Sequence, residues 1–559
     1  MNRLIQKMFE SRGYTPEYIS SVNTVERGLL LDIDDMCARL EAIYRSQRRI
    51  LVFPDFDMDG IASGVIGFAG LSELGFNASL YVPEPSDGYG FSGDVVRKVM
   101  SQFPYIGAVL TCDVGITAHE GVSEFKSMGV EVLVTDHHVP GEWPVPADCI
   151  VNPRRVDDLY KNKQICGAYV LYQVIQRYAD TYRTVYEQEQ IRRLSVFAGI
   201  GTISDSMPLL YENRGIVSDA VMVLKMSHMY GSNEHFPFIN GSDRYLRVFK
   251  GLNRLLRHLN LSVIDEDAIG FYIAPMFNSV KRMDGELSAA FAVFLASDPM
   301  PYIEYLSDLN ERRKTLTAEA FDVLRYNAHP WAPYLYLSDA PRGVLGLLAQ
   351  KVMSDTGLPS IVVRGASDSS QNAFAGSGRS PSWYPLMPRS RAAGFSVAGH
   401  DVAFGIHFKS QDELTAFCSF VHEDIKTFMP DAGPLARTEP DFIIAPDGSG
   451  DTYLDVPLFD GFLTELEKYK PFGVGFPAPD IELRFVAQHA SWSIIGKDRT
   501  HLKVTLDYGF DVLCWNQADM HYLSQSSDLI CVRGKLSRYE FNGTDGVQFT
   551  GNIVSGVRS

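Results

Sequence analysis

Three apolar, β-prone runs in this chain each lead, two residues on, to a metal-ligand type of residue. Ile50-Leu51-Val52-Phe53 runs into Asp55-Phe56-Asp57-Met58-Asp59-Gly60, Ala108-Val109-Leu110-Thr111 into Cys112-Asp113, and Val130-Glu131-Val132-Leu133-Val134 into Asp136-His137-His138. A fourth acidic segment, Ser204-Asp205, follows another apolar stretch. Continuous apolar runs of this kind are what strands buried on both faces of a parallel sheet require. In a doubly wound α/β sheet the carboxyl ends of the strands open into one crevice, where ligands bind. Carboxylates and histidines gathered there repel one another unless cations neutralise them. Oxygen ligands mixed with imidazole suit Mn²⁺ or Mg²⁺ better than the thiolate-rich sets that select zinc. The pattern therefore points to a two-metal phosphoester chemistry.

A chain of 559 residues is too long for one core, and three or four domains are expected. With 45% hydrophobic and 21% charged residues the composition is that of an ordinary globular protein. The start, Met1 to Lys7, lacks the apolar core of a signal peptide, and no stretch is long enough to span a bilayer. Seven cysteines without a Cys-x-x-Cys pair fit a reducing cytoplasm, and Cys112, Cys149 and Cys166 read as small buried apolar residues. A net charge of -17 does not exclude a nucleic-acid partner, because binding needs only a local lane of Lys and Arg.

Residues 1–45 have a helical pattern, and strand and helix alternate from 50 to about 215. Residues 216–330 read as mostly helical, with a long helix over Tyr302–Arg325 that lacks Pro and Gly. Strands return near 334–338 and 360–363, followed by the Gly/Ser stretch Ala375 to Ser380, which by itself reads as a plain loop. Pro430 to Pro434 is a linker candidate. Beyond it, short runs at 481–485, 502–506, 511–515 and 529–534 predict a small β-barrel. The expected domains are therefore 1–215, 216–330, 331–430 and 435–559. Each motif alone has a plain alternative: an Asp-x-Asp-x-Asp-Gly run can be a solvated acidic turn, and Asp-His-His a capped one.

Taken together and in this order, the segments resemble the DHH phosphoesterase superfamily, and within it the RecJ-type single-strand-specific exonucleases. The resemblance also rests on Asp87-Gly88-Tyr89-Gly90, Val151-Asn152-Pro153, Gly201 to Asp205 with Pro208, Asn278 with Arg282, and Asn310 with Arg313-Lys314. It continues through Gly376-Ser377-Gly378-Arg379-Ser380, Gly399-His400, Pro471 to Phe476 and His501-Leu502-Lys503. It implies a doubly wound parallel-sheet DHH domain, a helical connector, a second α/β domain of DHHA1 type and a C-terminal OB-fold-like barrel.

Carried over residue by residue, Asp55 and Asp57 serve one metal, Asp59, His137 and Asp205 the other, and Asp113 bridges both. His138 faces the scissile phosphate, and Asp136 orients an imidazole. Asn278, Arg282, Ser377, Arg379 and His400 are the matching substrate-binding residues; arginine suits the role because its planar fork meets phosphate oxygens bidentately. In the C-terminal region Lys497, Arg499, His501, Lys503, Arg533, Lys535 and Arg538 lie among Trp515, Tyr539 and Phe541, a mixture that can track phosphates and stack bases. Trp515 has a plain alternative as a core residue.

Three positions depart from the family pattern and fit a divergent or phage-borne member. The loop Pro83-Glu84-Pro85-Ser86 lacks an Arg that helps to grip a terminal 5′-phosphate, a role that Arg154 or Arg155 could fill. Pro341-Arg342 stands where a histidine is expected, and Phe404 where a small residue is usual. The resemblance implies a cytoplasmic, monomeric, Mn²⁺- or Mg²⁺-dependent exonuclease. It would degrade single-stranded DNA from the 5′ end to mononucleotides in recombination and repair. A single-stranded-DNA-binding protein or a helicase is the expected protein partner, and no membrane is involved. The alternatives are a small-substrate phosphatase or pyrophosphatase of the same superfamily, which needs no OB region, and a non-catalytic replication scaffold, which would have lost metal ligands.

Overall fold

In a computed structural model of the chain, the first alternation becomes a five-stranded, wholly parallel sheet. Its strands are β1 (Arg49–Pro54), β2 (Ala78–Leu80), β3 (Ile106–Cys112), β4 (Glu131–Thr135) and β5 (Cys149–Val151), in the order β2-β1-β3-β4-β5. The structure describes residues 1–24, 28–84, 87, 90–229, 241–324, 328–329, 332–365, 374–429, 439–445, 449–541 and 544–557. Leu51, Val52, Val109, Leu110, Val132 and Leu133 are all fully buried, as strands covered on both faces must be. The chain leaves β1 for β2 on one side and returns to β3 on the other. The strand order thus reverses between β1 and β3, which is where ligands bind in sheets of this order.

The connector is helical as expected, with helices Asp243–Leu259, Ala274–Arg282, Leu287–Leu295 and Met300–Leu324. A six-stranded sheet follows, built from β6 (Ala328–His329), β7 (Ala332–Leu337), β8 (Ser360–Gly365), β9 (Phe374–Arg379), β10 (Val397–His400) and β11 (Ala403–Phe408) in the order β10-β11-β9-β8-β7-β6. The Gly/Ser stretch is therefore a strand, not a loop. Glycine is needed there because β8 and β11 crowd in: a Cβ on Gly376 would stand 2.3 Å from Val362 O, and one on Gly378 2.4 Å from Phe404 Cζ. Phe404, one of the departures, fills that space with a buried ring.

The last sheet has seven strands: β12 (Phe442–Ile444), β13 (Ile481–Val486), β14 (Ser491–Ile495), β15 (His501–Thr505), β16 (Asp511–Cys514), β17 (Leu529–Phe541) and β18 (Thr544–Val557). Its order is β12-β13-β17-β18-β16-β15-β14. The long β17/β18 hairpin passes Gly534, where the sequence reading ended its strand. Gly534 pairs with Gly551, and a Cβ there would meet Thr550 O at 2.1 Å.

The chain divides into two compact units, one of residues 26–207 and 216–437, the other of 1–25, 208–215 and 438–559. Residues 1–25, grouped by sequence with the parallel-sheet domain, instead share a core with the C-terminal sheet: Leu4, Ile5, Met8 and Phe9 cluster with Phe442, Phe462 and Ile481. The linker candidate Pro430–Pro434 lies outside the described residues. No helix among the described residues is long and apolar enough to cross a membrane.

Candidate metal centre

Three of the five strands of the central sheet, β1, β3 and β4, hand their ladder on to a residue of the site. Asp55 N–H donates to Cys112 O at 3.0 Å, Asp113 N–H to Thr135 O at 3.0 Å, and Asp136 N–H to Val151 O at 3.2 Å. The ligand side chains thus start one residue beyond the carboxyl ends of β1, β3 and β4, on both sides of the reversal point. Asp113 holds a left-handed backbone, φ 65°, uncommon outside glycine and typical of constrained functional positions.

Asp57 caps the helix Met58–Glu73, its Oδ1 accepting from Asp59 N and Gly60 N at 2.9 and 3.1 Å. Asp59 in the first turn accepts from Gly167 N at 2.7 Å and Ala168 N at 3.1 Å, the amino end of the helix Gly167–Tyr182, where the exposed N–H groups favour a negative charge. Asp205 caps the carboxyl end of Ser195–Ser204, an end that favours a cation. Two glycines leave room for these carboxylates. A Cβ on Gly167 would stand 2.3 Å from Asp113 Oδ1, and one on Gly201 2.2 Å from Asp59 Oδ1.

The ligand atoms fall into three groups, each within 4.8 Å: Asp55-Asp57-Asp113, Asp59-His137-Asp205 and Asp113-His137-His138. His137 Nε2 lies 3.2 Å from Asp113 Oδ1, 3.6 Å from Asp205 Oδ2 and 3.9 Å from Asp59 Oδ2. Burial, with Asp57 beside it, pushes the Asp55 carboxyl up to about 8. Asp59 rises to about 6 for the same two reasons. Asp113 and Asp205 are raised well above the carboxylate range, by burial first and then by Asp59. Burial and then His138 hold His137 down at about 3, the neutral form that a metal ligand needs.

Asp136 behaves differently. Burial works against its charge, yet the His138 ring and the backbone hold it below the usual range. Its Oδ1 lies 2.8 Å from His138 Nδ1 and accepts from His137 N and His138 N, while Oδ2 accepts from Ile116 N. His138, despite its burial, is raised to about 9 by Asp136, with Asp55 and Asp205 adding to the effect.

The donor set fits divalent cations on its own geometry. Asp113 Oδ1 and Asp205 Oδ2 are buried and accept no hydrogen bond from any described residue. Buried oxygens in that state are costly unless a cation pairs with them.

Beside this centre stand cations that no described carboxylate pairs. Burial, then Arg313 and Arg379, lower Arg282 to about 10, and burial lowers Arg313 and Arg379. Arg379 donates to Gly378 O at 2.8 Å and Arg313 to Asn310 Oδ1 at 3.0 Å. Ser377 lies next to them on β9; a Cβ on Gly346 would meet Arg379 Nη2 at 3.0 Å and Ser377 Oγ at 3.5 Å. Pro341-Arg342 opens the helix Arg342–Thr356, whose Gly343 sits so close to the Arg282 backbone that a Cβ would meet it at 2.4 Å.

Asn278 uses its side-chain oxygen on Met58 N at 2.9 Å, so it braces the Asp57–Asp59 turn. The His400 side chain, and Pro85, Ser86, Gly88 and Tyr89 of the loop that lacks an Arg, lie outside the described residues. Arg155 is engaged by Asp32 at 2.6 Å and Asp157 at 2.8 Å, so of the two compensating candidates Arg154, which acts electrostatically on His137 and Asp205, is the one beside the centre. The sequence reading missed Lys281, whose ammonium lies 3.6 Å from the Phe56 ring centroid and acts on Asp55 and Asp57. Its one signal was a second cation adjoining Arg282.

In the C-terminal unit several cations expected on a nucleic-acid surface are paired instead: Lys503 with Asp511 at 2.7 Å, Arg533 with Asp480 at 2.7 Å and Arg538 with Asp460 at 2.8 Å. Trp515 is 49% exposed and stands edge-on to His501, which rules out the core alternative. The Phe541 side chain lies outside the described residues.

Comparison with known proteins matches residues 49–200 to the DHH family N-terminal domain and residues 457–551 to the RecJ OB domain. The chain joins a DHH-family domain to a RecJ OB domain. The DHH domain carries its namesake Asp136-His137-His138 at the end of β4. The single-stranded-DNA-specific exonuclease RecJ of Haemophilus influenzae is 26% identical over 98% of this chain and 96% of its own length. That of Thermus thermophilus is 27% identical over 92% of this chain and 69% of its own. The crystal structure of Thermus thermophilus RecJ in complex with Mn²⁺ shares the fold, with a TM-score of 0.74 at 24% identity over 100% of this chain and 77% of that one. An exonuclease RecJ solved bound to manganese matches at 26% identity and a TM-score of 0.56 over 74% of this chain and 98% of that one.

Proposed function

We propose that this chain is a metal-dependent exonuclease of single-stranded DNA that works from the 5′ end and releases mononucleotides in recombination and repair. The observation that carries the reading is Asp113, shared by two ligand groups next to a set of half-buried arginines that no described carboxylate pairs. The names of its relatives and its RecJ OB domain support the substrate class.

Asp55 and Asp57 would hold one cation, Asp59, His137 and Asp205 the other, and Asp113 both. Two such cations, Mn²⁺ or Mg²⁺, supply Lewis acidity to a phosphoryl oxygen and lower the pKa of an attacking water. The other roles belong to the chain itself. Asp136 accepts from His138 Nδ1 and fixes the ring, so that Nε2 can face and donate to a phosphoryl oxygen as charge builds on it. Arg282 and Arg379 bind the phosphates of the substrate strand, where an anion relieves the mutual repulsion of the half-buried guanidiniums. Ser377 adds a hydroxyl beside Arg379, and Asn278 keeps the Asp57–Asp59 turn in register. In the C-terminal unit Trp515 and His501 offer a stacking surface near Lys497 and Arg499. The same reading makes the protein a cytoplasmic monomer.

End-labelled single-stranded oligonucleotide, labelled at each end in turn and incubated with Mn²⁺ or Mg²⁺, tests the proposal. Mononucleotide released first from a 5′ label, with duplex DNA and small phosphate esters left intact, is the expected result. Turnover of p-nitrophenyl phosphate or pyrophosphate without oligonucleotide cleavage would favour the small-substrate alternative.

A further inference from the structure

The outer edge of the parallel sheet carries a groove that the exonuclease reading does not use. Strand β2 is the terminal strand of its sheet, and it pairs with β1 through alternate backbone groups: Ile50 N–H donates to Asn77 O at 3.1 Å, and Tyr81 N–H to Val52 O at 2.9 Å. The alternation of a parallel ladder turns the peptide groups of Ala78 and Leu80 outward. Among the described residues no strand pairs with that edge.

Along the edge runs a cavity of about 400 Å³ whose walls include Phe68, Phe76, Phe103, Leu295, Arg49 and Arg244. The two faces of the sheet contribute the same pair of side-chain types. On the face of Leu51 and Phe53, Arg49 lies 5.9 Å from the Phe103 ring centroid, and its Nε donates to Ser79 Oγ at 2.9 Å. On the opposite face, under the helix Met58–Glu73 whose Gly67 meets Val52, Arg244 lies 5.6 Å from the Phe68 ring centroid. Neither guanidinium meets a carboxylate among the described residues. Arg49 is the first residue of β1 and the metal ligands follow its last, so this end of the groove is roughly 17 Å along the strand from the chemistry.

We propose that this edge binds an extended acidic peptide of a partner protein by strand addition. The backbone of such a peptide supplies both acceptors and donors to Ala78 and Leu80, whose outward groups have no strand partner among the described residues. Its successive side chains alternate between the faces, so a carboxylate and an aromatic ring spaced two residues apart meet Arg49 and Phe103 on one face, or Arg244 and Phe68 on the other. A nucleotide fits less well, because outward carbonyl oxygens repel phosphate while a peptide N–H binds them.

The test uses the full chain and a fluorescein-labelled peptide, Asp-Asp-Phe-Phe-Asp-Asp, which places an Asp-Phe-Asp pattern on each face. Fluorescence anisotropy should show saturable binding that weakens at least tenfold in Arg244→Glu and in Arg49→Glu, and that is lost when the peptide amides are N-methylated. Exonuclease rates of Arg244→Glu, whose side chain is exposed and far from the ligands, should stay unchanged. Several results would overturn the proposal. They are no binding by the wild type, binding indifferent to N-methylation or to both substitutions, or displacement of the peptide by thymidine monophosphate. Unchanged peptide binding together with self-association of Arg244→Glu in gel filtration would instead make the arginines guards of a bare edge.

Discussion

Asp113 shows how much of the site is carried by single side chains in difficult positions. Its backbone is left-handed, its carboxylate is buried, and its Oδ1 accepts no hydrogen bond from a described residue. Replacing it with Asn removes a buried acid that the metal-free protein keeps only by holding it protonated, and the charge that the cations need. In EDTA, Asp113→Asn should melt at or above the wild-type temperature. Mn²⁺ should raise the Tm of the wild type and leave the variant unmoved, and activity should fall below about a hundredth, the scale of a lost few kcal/mol. The raised carboxyls also set a pH dependence. Asp55 at about 8 and Asp59 at about 6 stay protonated in the folded chain over a range in which the unfolded chain has already released those protons. Stability of the metal-free protein should therefore be greatest near pH 4 and fall as pH rises to 8. Asp55→Asn should flatten that fall in thermal melts taken in EDTA. Arg379→Ala should reduce the salt dependence of single-strand binding by a slope of about 0.7, the loss of one phosphate contact; an unchanged slope would take Arg379 off the backbone of the strand. The ligands were legible because each follows a buried apolar run, a pattern local in sequence. Gly167 and Lys281 were not, because one acts by leaving space for Asp113 and the other by lying over Phe56, relations that only the folded chain creates.

At the scale of elements, composition misled where glycine was needed for proximity rather than for turning. The Gly/Ser stretch from 375 to 380 carries every mark of a loop, yet β9 lies inside its sheet, paired with β8 and β11. Gly534 and Gly551 played the same part in the β17/β18 hairpin, where each faces the other strand at less than side-chain distance. Strand periodicity located β1, β3, β4, β7, β8, β13, β15 and β16, whose apolar residues alternate or run together in the ordinary way. The pair Gly378 and Phe404 makes the argument testable. Gly378→Ala should destabilise the protein because its Cβ would enter the Phe404 ring, and Phe404→Ala should cost about 3–5 kcal/mol as a large buried side chain is lost. In denaturant melts the double variant should lose less than the sum of the two, because the smaller residue makes room for the added methyl group. Strict additivity would mean that the ring and the glycine do not share the space.

For the whole molecule, the unexpected feature is that the first 25 residues belong with the last 122 rather than with the sheet that follows them. Nothing in the helical pattern of residues 1–24 names the surface that it will meet; an amphipathic stripe specifies that a partner exists, not which one. Truncation should expose the difference. Removing 438–559 alone leaves Leu4, Ile5, Met8 and Phe9 without their partners Phe442, Phe462 and Ile481, and that fragment should aggregate in gel filtration. The fragment 26–437, which drops both ends, should be the more monodisperse of the two and should keep its Mn²⁺-dependent rise in Tm, since every metal ligand lies within it. Equal behaviour of the two fragments would mean that the N-terminal helices do not depend on the C-terminal sheet.

That arrangement also orders events in time. At a ribosome adding roughly 5–20 residues per second, the opening helix waits on the order of tens of seconds before the strands that cover it exist. Over that interval the ligands of the metal centre are all synthesised and the DHH domain has everything it needs to fold. The helix of Arg3–Ser11, made before the DHH domain, is thus among the last elements to find its place. A chain cut short by stalled translation after the DHH domain would emerge with a complete set of metal ligands and a sticky, orphaned helix, marked for chaperones or proteases by Leu4, Ile5, Met8 and Phe9.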